Sequence, residues 1–210
     1  IEDPAALTER WCGTETRIVA ANGGTGHVLA AGLTPHHVIG DLDSLSDEIR
    51  ERLSKAGTEF HHYPPAKDET DLELALLWAA EQGADEIVVL GVLGGRPDQE
   101  LANLLLLALP ELEGLTTLMV RGCWEIRLIR GKKKLHLEGT PGQRLSLIPL
   151  GGDARGVTTA GLRFPLHSET LRFGPARGVS NVFEGNEVTI ELEAGLLWCF
   201  HERRMHERWE

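Results

Sequence analysis

Cysteines are few in this sequence, and no apolar stretch is long. The three cysteines, Cys12, Cys123 and Cys199, are an odd number without a CxxC pair, so neither a disulfide framework nor a cysteine-based zinc site is indicated. Such cysteine usage favours a reducing compartment, and we predict the cytoplasm. No run approaches the roughly 18 apolar residues that a membrane span needs, and residues 1–11 lack the basic and apolar regions of a signal peptide.

Positive charge is also scarce. Lysine and arginine number 21 against 32 aspartates and glutamates, which gives a net charge of −11 and a pI of about 5.3. This balance argues against nonspecific nucleic-acid binding, which requires a basic face. A nucleotide can still bind if a divalent cation lies between its phosphates and the carboxylates of the protein.

The first half of the chain alternates short apolar runs with helical patterns. This alternation predicts an α/β domain with a Rossmann-like, mostly parallel sheet and helices on both faces. Its predicted strands are residues 16–21, 37–40, 86–92 and 116–120, and its predicted helices are residues 25–31, 46–55, 70–82 and 98–109. His61 and His62 are predicted to be loop residues rather than ligands. The first residue is Ile and not Met, which leaves room for a further strand upstream.

After residue 121 the pattern changes to short strand-like runs separated by glycines, with almost no helical periodicity. This pattern is typical of a β-sandwich or barrel. The predicted strands are residues 125–130, 133–138, 144–149, 171–173, 187–193 and 196–201. We therefore predict two domains, residues 1–121 and residues 122–210.

Two aspartates follow the predicted strand at residues 37–40. In Gly40-Asp41-Leu42-Asp43-Ser44, residues two apart on an extended chain point to one side, so Asp41 and Asp43 can converge. Open α/β sheets bind ligands at the carboxyl ends of their strands, and paired carboxylates suit Mg²⁺. The alternative is a polar turn in which Asp43 or Ser44 caps the next helix.

A second acidic segment surrounds a predicted helix start. Thr70 and Glu73 have the spacing of a capping box, and Asp71 in the first turn complements the helix dipole. Capping does not explain Lys67 and Asp68, which precede the helix. A loop of this kind can hold phosphate and metal together. The segment is therefore consistent both with a helix cap and with a binding site.

Two further strand-to-helix junctions are rich in glycine. In Gly94-Gly95-Arg96-Pro97-Asp98, an arginine at a helix start suggests a bound anion, because the helix dipole disfavours a cation there. The alternative is a Gly-Gly turn with a surface pair between Arg96 and Asp98. For residues 22–24 (NGG), the alternative to a binding site is a plain turn with positive φ.

Taken in this order, the four segments resemble the thiamine pyrophosphokinase family, whose pattern is similar to A-D-G-G, G-D-x-D-S, D-x-T-D and G-G-R-x-D-H. The second half resembles the family as well. Residues 160–166 (AGLRFPL) are similar to its G-L-x-Y-P-L segment, residues 178–181 (GVSN) to its G-x-S-N segment, and residues 195–198 (GLLW) to its last strand. The resemblance covers about residues 15–200.

The resemblance implies transfer of the diphosphate of ATP to the hydroxyl of thiamine, which yields thiamine diphosphate and AMP. It implies an α/β domain that binds ATP and Mg²⁺ and a β-sandwich domain that binds thiamine. It also implies a homodimer with the substrate site at the subunit interface, and no nucleic-acid or membrane partner. The implied metal ligands are Asp41, Asp43 and Asp71, and the implied catalytic residues are Asp43, Asp71, Arg96 and Asp98. The implied binding residues are Asn22, Gly23, Gly24, Lys67, Asp68, Thr70, Arg96, Ser180 and Asn181.

Two positions depart from the family pattern. Asn22 stands where the pattern has Asp, so an oxygen acceptor remains but its charge is lost. Gln99 stands where the pattern has His, and glutamine cannot carry a proton as histidine can. These departures motivate one alternative, a relative that acts on another heterocyclic alcohol, and a non-catalytic thiamine-binding module is a second alternative. A metal-dependent phosphohydrolase is a third alternative.

Overall fold

The structure, a computed structural model, describes residues 10–203. The chain forms two compact units, of which the first ends at Thr117 and the second begins at Leu118. The predicted boundary after residue 121 lies at the end of the strand that spans this junction, Thr116–Arg121. The segment 1–9, which belongs to the stretch without signal-peptide features, lies outside the described residues. None of the helices within residues 10–203 is both long and apolar enough to cross a bilayer.

The first unit alternates strands and helices, and its first three strands form a parallel sheet in the order β1-β2-β3. Its elements are β1 Val19–Ala21, α1 Gly24–Ala30, β2 His37–Gly40, α2 Asp47–Lys55, β3 Glu59–His62, α3 Asp71–Glu81, β4 Glu86–Leu90, α4 Pro97–Leu106 and a 3₁₀ turn at Pro110–Leu112. The predicted parallel sheet with helices is confirmed for β1, β2 and β3, whereas the strands predicted at residues 86–92 and 116–120 do not belong to this sheet. Among the described strands β1 pairs with β2 alone, and the strand upstream of Ile1 stays a prediction.

Helices cover both faces of this three-stranded sheet because successive strand residues alternate in direction. Val38 points to one face, where it packs with Leu53 of α2 and with side chains of α1. Its neighbour Ile39 points to the other face and packs with Leu74 and Ala75 of α3. Both strand residues are fully buried.

The prediction that His61 and His62 lie in a loop was wrong, because both belong to β3. Phe60 of β3 pairs with Val38 and packs on the α2 face, while His61 pairs with Ile39. The segment Glu59–His62 has one apolar side chain among four residues, so alternation alone did not distinguish it from a loop.

The helix starts of the first unit have local signals, although the cap of α2 is Ser46 and not Asp43 or Ser44. The Ser46 hydroxyl accepts a hydrogen bond from the Ile49 amide at 3.3 Å, and the Thr70 hydroxyl accepts one from the Glu73 amide at 3.2 Å. Helix α4 begins at Pro97, where a missing N–H costs nothing. The starts of α2 and α3 follow β2 and β3, so polar side chains collect at the carboxyl edge of the parallel sheet.

The second unit is a curled, mostly antiparallel β domain with an apolar core. Its elements are β5 Thr116–Arg121, β6 Trp124–Arg130, β7 Lys133–Glu138, β8 Arg144–Ala160, β9 Glu169–Leu171, β10 Asn181–Val182, β11 Glu187–Leu192 and β12 Ala194–Glu202. The strands lie in the order β5-β6-β12-β8-β11-β7, and β9 and β10 also pair with β8. The core includes Leu145, Val157, Phe183, Ile190 and Leu197.

The prediction of a strand at residues 144–149 was too short, because β8 continues to Ala160. Its first part pairs with β12 and its last three residues pair with β11. Gly156 adopts φ +64°, which a glycine tolerates without steric cost, and the strand can therefore bend there. The glycines of β8 therefore permit bends within one strand. They do not mark turns between strands.

Candidate active site

The side chain of Asn22 joins the two aspartates that follow β2. Its amide nitrogen donates to Asp41 Oδ1 at 2.8 Å and to Asp43 Oδ1 at 3.0 Å. Its carbonyl oxygen accepts from the Ser44 hydroxyl at 2.6 Å. Asn22 is itself buried, so one amide at the end of β1 fixes the loop after β2.

The loop conformation explains why both carboxylates face the same amide. Leu42, between the two aspartates, is buried with φ +63°. The Asp43 amide donates to Asp41 Oδ1 at 3.2 Å, and Arg50 of α2 donates to the Leu42 carbonyl oxygen. The apolar side chain is therefore held inward while Asp41 and Asp43 turn outward.

Gly40 brings the start of α3 against this loop. A Cβ atom added at Gly40 would lie 2.8 Å from Asn22 Cβ and 2.8 Å from Asp71 Oδ1, and the φ of Gly40 is +143°. Real Cβ atoms are essentially never this close to a neighbour. The carboxylate of Asp71 therefore lies directly against the backbone of Gly40, as does the side chain of Asn22.

Lys67 supplies the positive charge of the cluster. Its ammonium group donates to Asp71 Oδ1 at 2.5 Å, and the two side chains are 11% and 25% exposed. The pKa of Asp43 is held below its usual value, chiefly by the hydrogen bond from Asn22, then by the hydrogen bond with Asp41, with Lys67 adding a smaller effect. Asp43 is therefore ionised at neutral pH and available to a cation.

The donor set of this cluster fits Mg²⁺, which prefers oxygen ligands and takes one or two carboxylates together with water and phosphate. Asp43 is exposed and ionised, and Asp41 lies beside it. Asp71 is less close, because the three carboxylates do not all approach within 4.8 Å of one another. A shared ion that includes Asp71 stays a prediction.

Arg96 and Asp98 form a surface pair, which was the alternative to anion binding for their segment. Arg96 donates through Nε to Asp98 Oδ1 at 3.1 Å and through Nη2 to Asp98 Oδ2 at 2.5 Å. The side chains are 70% and 65% exposed. This hydrogen bond raises the pKa of Arg96 and lowers that of Asp98. The guanidinium lies in solvent, where it can reach an anion.

A large cleft of about 1650 Å³ connects these segments within the first unit. Apolar residues of β1 and β4, such as Val19 and Val88, line one part of it. The polar lining includes Asp41, Lys67, Thr70, Asp71, Arg96 and Gln99, with Gly23, Gly24, Gly94 and Gly95 beside them. Predicted residues of all four segments therefore share one opening.

Other predicted residues of the first unit have simpler positions. Thr70 caps α3 with its hydroxyl, and Gly23 occupies the cap position of α1. Asp68 is exposed in the loop ahead of α3. Sequence reasoning missed the parts played by Gly40 and Ser44, although both stand in the motif that contains Asp41 and Asp43.

Ser180 and Asn181 lie in the second unit, where Asn181 begins β10 and Ser180 precedes it. The Asn181 side chain accepts from the Phe164 amide at 3.1 Å and donates to the Phe164 carbonyl oxygen at 2.7 Å. Ser180 adopts φ +64°, and its amide donates to the Ser146 hydroxyl at 3.0 Å. Asn181 therefore fixes the backbone at Phe164.

Comparison with known proteins gives a consistent result over nearly the whole chain. The model of the thiamin pyrophosphokinase catalytic domain matches residues 8–118, and the model of the thiamin pyrophosphokinase vitamin B1 binding domain matches residues 132–197. A thiamine pyrophosphokinase of Bacillus subtilis is 32% identical over 190 residues, which cover 85% of this chain and 84% of the relative. Thiamine pyrophosphokinase 3 of Oryza sativa subsp. japonica is 32% identical over 179 residues, 80% of this chain and 67% of the relative.

Solved structures agree with this. The crystal structure of thiamine pyrophosphokinase from Bacillus subtilis superposes with a TM-score of 0.84 at 26% identity, covering 94% of this chain and 92% of that one. The thiamin pyrophosphokinase of Candida albicans shares the fold, with a TM-score of 0.76 at 15% identity and coverage of 93% and 85%. Two family domains in order, a relative at 32% identity and a shared two-part fold lead to one conclusion: the chain belongs to the thiamine pyrophosphokinase family.

Proposed function

We propose that the protein is a thiamine diphosphokinase, which transfers the diphosphate of ATP to the hydroxyl of thiamine and releases AMP. Family membership supports the reaction class. The observation that carries the proposal for this chain is the cluster in which Asn22 holds Asp41 and Asp43 together. A metal–phosphate site requires such ionised oxygens at the carboxyl end of a parallel sheet.

In this proposal the first unit, with a Rossmann-like arrangement, is the catalytic domain. Asp41 and Asp43 hold Mg²⁺, with Asp71 as the third predicted ligand. The ion neutralises phosphate charge when bound. Lys67 and Arg96 contact phosphate oxygens, because an ammonium and a guanidinium both suit them. Gly23 and Gly24 let the backbone approach the nucleotide.

The chemistry is an in-line displacement at phosphorus. The hydroxyl oxygen of thiamine bonds to the β-phosphorus of ATP, and the bond from that phosphorus to the α,β-bridging oxygen breaks. AMP leaves with the electron pair, while a carboxylate accepts the hydroxyl proton. Asp71 and Asp98 are the candidate bases, and the hydrogen bond from Arg96 lowers the pKa of Asp98, which makes it a weaker base.

The second unit, with a sandwich-like arrangement of strands, is the proposed thiamine-binding domain. Asn181 positions the segment around Phe164, and Ser180 is the proposed contact to the thiamine ring.

The proposal includes a homodimer in the cytoplasm. Phe164, Phe173 and Val179 are 65%, 59% and 42% exposed, and a subunit contact would cover such apolar side chains. Light scattering of the purified protein measures the subunit number.

One second candidate has an observation in its favour. Gln99 lines the cleft where the family pattern has histidine, and a changed lining can change the accepted alcohol. A panel of heterocyclic alcohols, each assayed for AMP release, separates this candidate from the main proposal. A non-catalytic thiamine-binding module would bind thiamine and release no AMP with any of them.

The direct test is to incubate the protein with Mg²⁺, ATP and thiamine and to measure AMP and thiamine diphosphate. We expect both products in equal amounts. Replacing Asp43 by asparagine should reduce the rate on the order of 100-fold or more, because charge stabilisation at the phosphates is lost. Asp47→Asn, at an exposed position in the first turn of α2, is the matched control and should keep wild-type turnover. Normal turnover of Asp43→Asn would remove Asp43 from the site.

A further inference from the structure

Two histidines and a glutamate converge outside the acidic cluster. His37 begins β2, and Glu59 and His61 lie on the neighbouring strand β3. In the parallel register His37 pairs with Glu59 and Ile39 pairs with His61. All three polar side chains therefore point to the same face of the sheet, the face that α3 covers.

Their ligand atoms have the spacing of a tetrahedral metal site. His37 Nδ1 lies 3.3 Å from His61 Nε2 and 3.5 Å from Glu59 Oε2, and no pair of ligand atoms is more than 4.8 Å apart. Two ligands bound at about 2.0–2.1 Å in a tetrahedron are about 3.3–3.4 Å apart. Two of the three separations are already close to this value. The Glu59 side chain is 70% exposed, so rotation can bring its carboxylate nearer to His61.

The surroundings hold the two imidazoles in place. The ring centroid of Trp78, on α3, lies 4.4 Å from that of His37 and 5.0 Å from that of His61. The His37 side chain is only 13% exposed. Burial lowers the pKa of His37, Glu59 opposes this, and His61, Arg17 and His36 add to it. His37 is therefore neutral at pH 7, the form in which imidazole binds metals.

A hydrogen bond between the two imidazoles is the simpler explanation of their approach. It accounts for the distance of 3.3 Å, but it does not require a carboxylate beside the same His37 nitrogen. Nitrogen ligands also exclude Mg²⁺ as the natural occupant and favour zinc, copper or nickel. The cluster is separate from the acidic site, because Asp41 comes four residues after His37, about 13 Å along an extended chain.

We propose that His37, His61 and Glu59 form a second metal site, which binds one divalent transition-metal ion of the zinc class with water as the fourth ligand. The ion joins β2 to β3 beneath Trp78. Nothing in the reaction proposed above depends on it, so binding can be measured without any activity assay.

The test uses the full chain without a histidine tag, stripped of metal and kept in excess Mg²⁺ so that the carboxylate cluster is occupied. Equilibrium dialysis against Zn²⁺ should give one tightly bound equivalent. Co²⁺ should give the visible bands of a four-coordinate ion, and Cu²⁺ should quench the fluorescence of Trp78, a signal that is absent in Trp78→Phe. Absence of a tightly bound equivalent in the wild-type chain would overturn the proposal.

Variants assign the ligands. His37→Gln and His61→Gln should each weaken Zn²⁺ binding by more than about tenfold, and Glu59→Gln should weaken it as well. Glu59 is exposed, so Glu59→Gln tests the site even if a histidine variant does not fold. His62→Gln, on the opposite face of β3, and Asp43→Asn are the controls and should bind Zn²⁺ as the wild type does. Unchanged affinity in Glu59→Gln, or in both histidine variants, would contradict the proposal.

Discussion

Asn22 shows at the scale of single residues how this chain differs from the family pattern. An amide can donate to two carboxylates at once, and Asn22 does so with Asp41 and Asp43. An aspartate at this position could only accept, so it would repel both neighbours unless a cation lay between them. In this chain the Asn22 amide therefore links the two aspartates through hydrogen bonds.

This difference predicts the effect of Asn22→Asp. A third carboxylate should raise the pKa of Asp43, destabilise the protein in EDTA and increase the stabilisation that Mg²⁺ provides, because the added charge is neutralised only by the ion. Thermal unfolding in EDTA and across a Mg²⁺ titration measures both effects. Asn186→Asp, on the exposed segment before β11, serves as the matched control. An equal response to Mg²⁺ in Asn22→Asp and wild type would contradict the interpretation.

Gly40 has a sharper prediction, because an added methyl group has no space there. Gly40→Ala should lower the free energy of unfolding by about 1–3 kcal/mol, the usual cost of overpacking, and should also slow AMP formation, since Asn22 and Asp71 must move apart. Denaturant unfolding and the AMP assay measure the two effects. Gly26→Ala, in α1 with nothing within 4 Å of its added Cβ, should instead be neutral or stabilising by about 0.5–1 kcal/mol. Similar results for both variants would show that the contacts of Gly40 do not matter.

Part of the arrangement around Asn22 could be predicted from the sequence. The spacing of Asp41 and Asp43 predicts that they lie side by side, and the structure brings both to one amide. The link through Asn22 could not be predicted, because it joins two strand ends that meet only when β1 pairs with β2. The histidine group was missed for the same reason, since His37 and His61 are 24 residues apart and become neighbours through strand register.

At the scale of elements, helices were easier to predict than strands. Ser46, Thr70 and Pro97 mark helix starts by local chemistry, and the observed starts lie within one residue of the predictions. Strand β3 has no such signal in Glu59–His62, and the glycines of β8 imitate turns. A strand depends on partners distant in sequence, so its ends cannot be determined from local residues alone.

The cap of α3 can be tested by itself. Thr70→Ala should lower the free energy of unfolding by about 1 kcal/mol, because the Glu73 amide loses its hydrogen-bond acceptor. Thr70→Ser should restore most of the loss, since serine keeps the hydroxyl. Denaturant unfolding of the three proteins gives the values. If Ala and Ser variants were equally stable, the hydroxyl would not be acting as a cap.

At the scale of the whole molecule, the three cysteines report on whether the fold is intact. Cys199 is fully buried in the core of the second unit, and burial raises the pKa of its thiol to about 12. Cys12 and Cys123 are partly exposed. The thiolate is the reactive form of cysteine, so Cys199 should not react in the native state.

A thiol reagent should therefore modify at most two cysteines of the native protein and three after unfolding in guanidinium. A spectrophotometric thiol count at pH 8 measures this. Cys199→Ala should leave the native count unchanged and reduce the unfolded count to two. Rapid modification of all three cysteines in the native protein would show that the second unit opens readily.

The position of β12 has a consequence for the order in which the protein forms during synthesis. This strand comes last among the described strands, yet it lies in the middle of its sheet, between β6 and β8. A nascent chain can begin to assemble the first unit on the ribosome as soon as that part emerges. The second unit must wait for residues 194–202, because β12 is the strand that pairs with both β6 and β8.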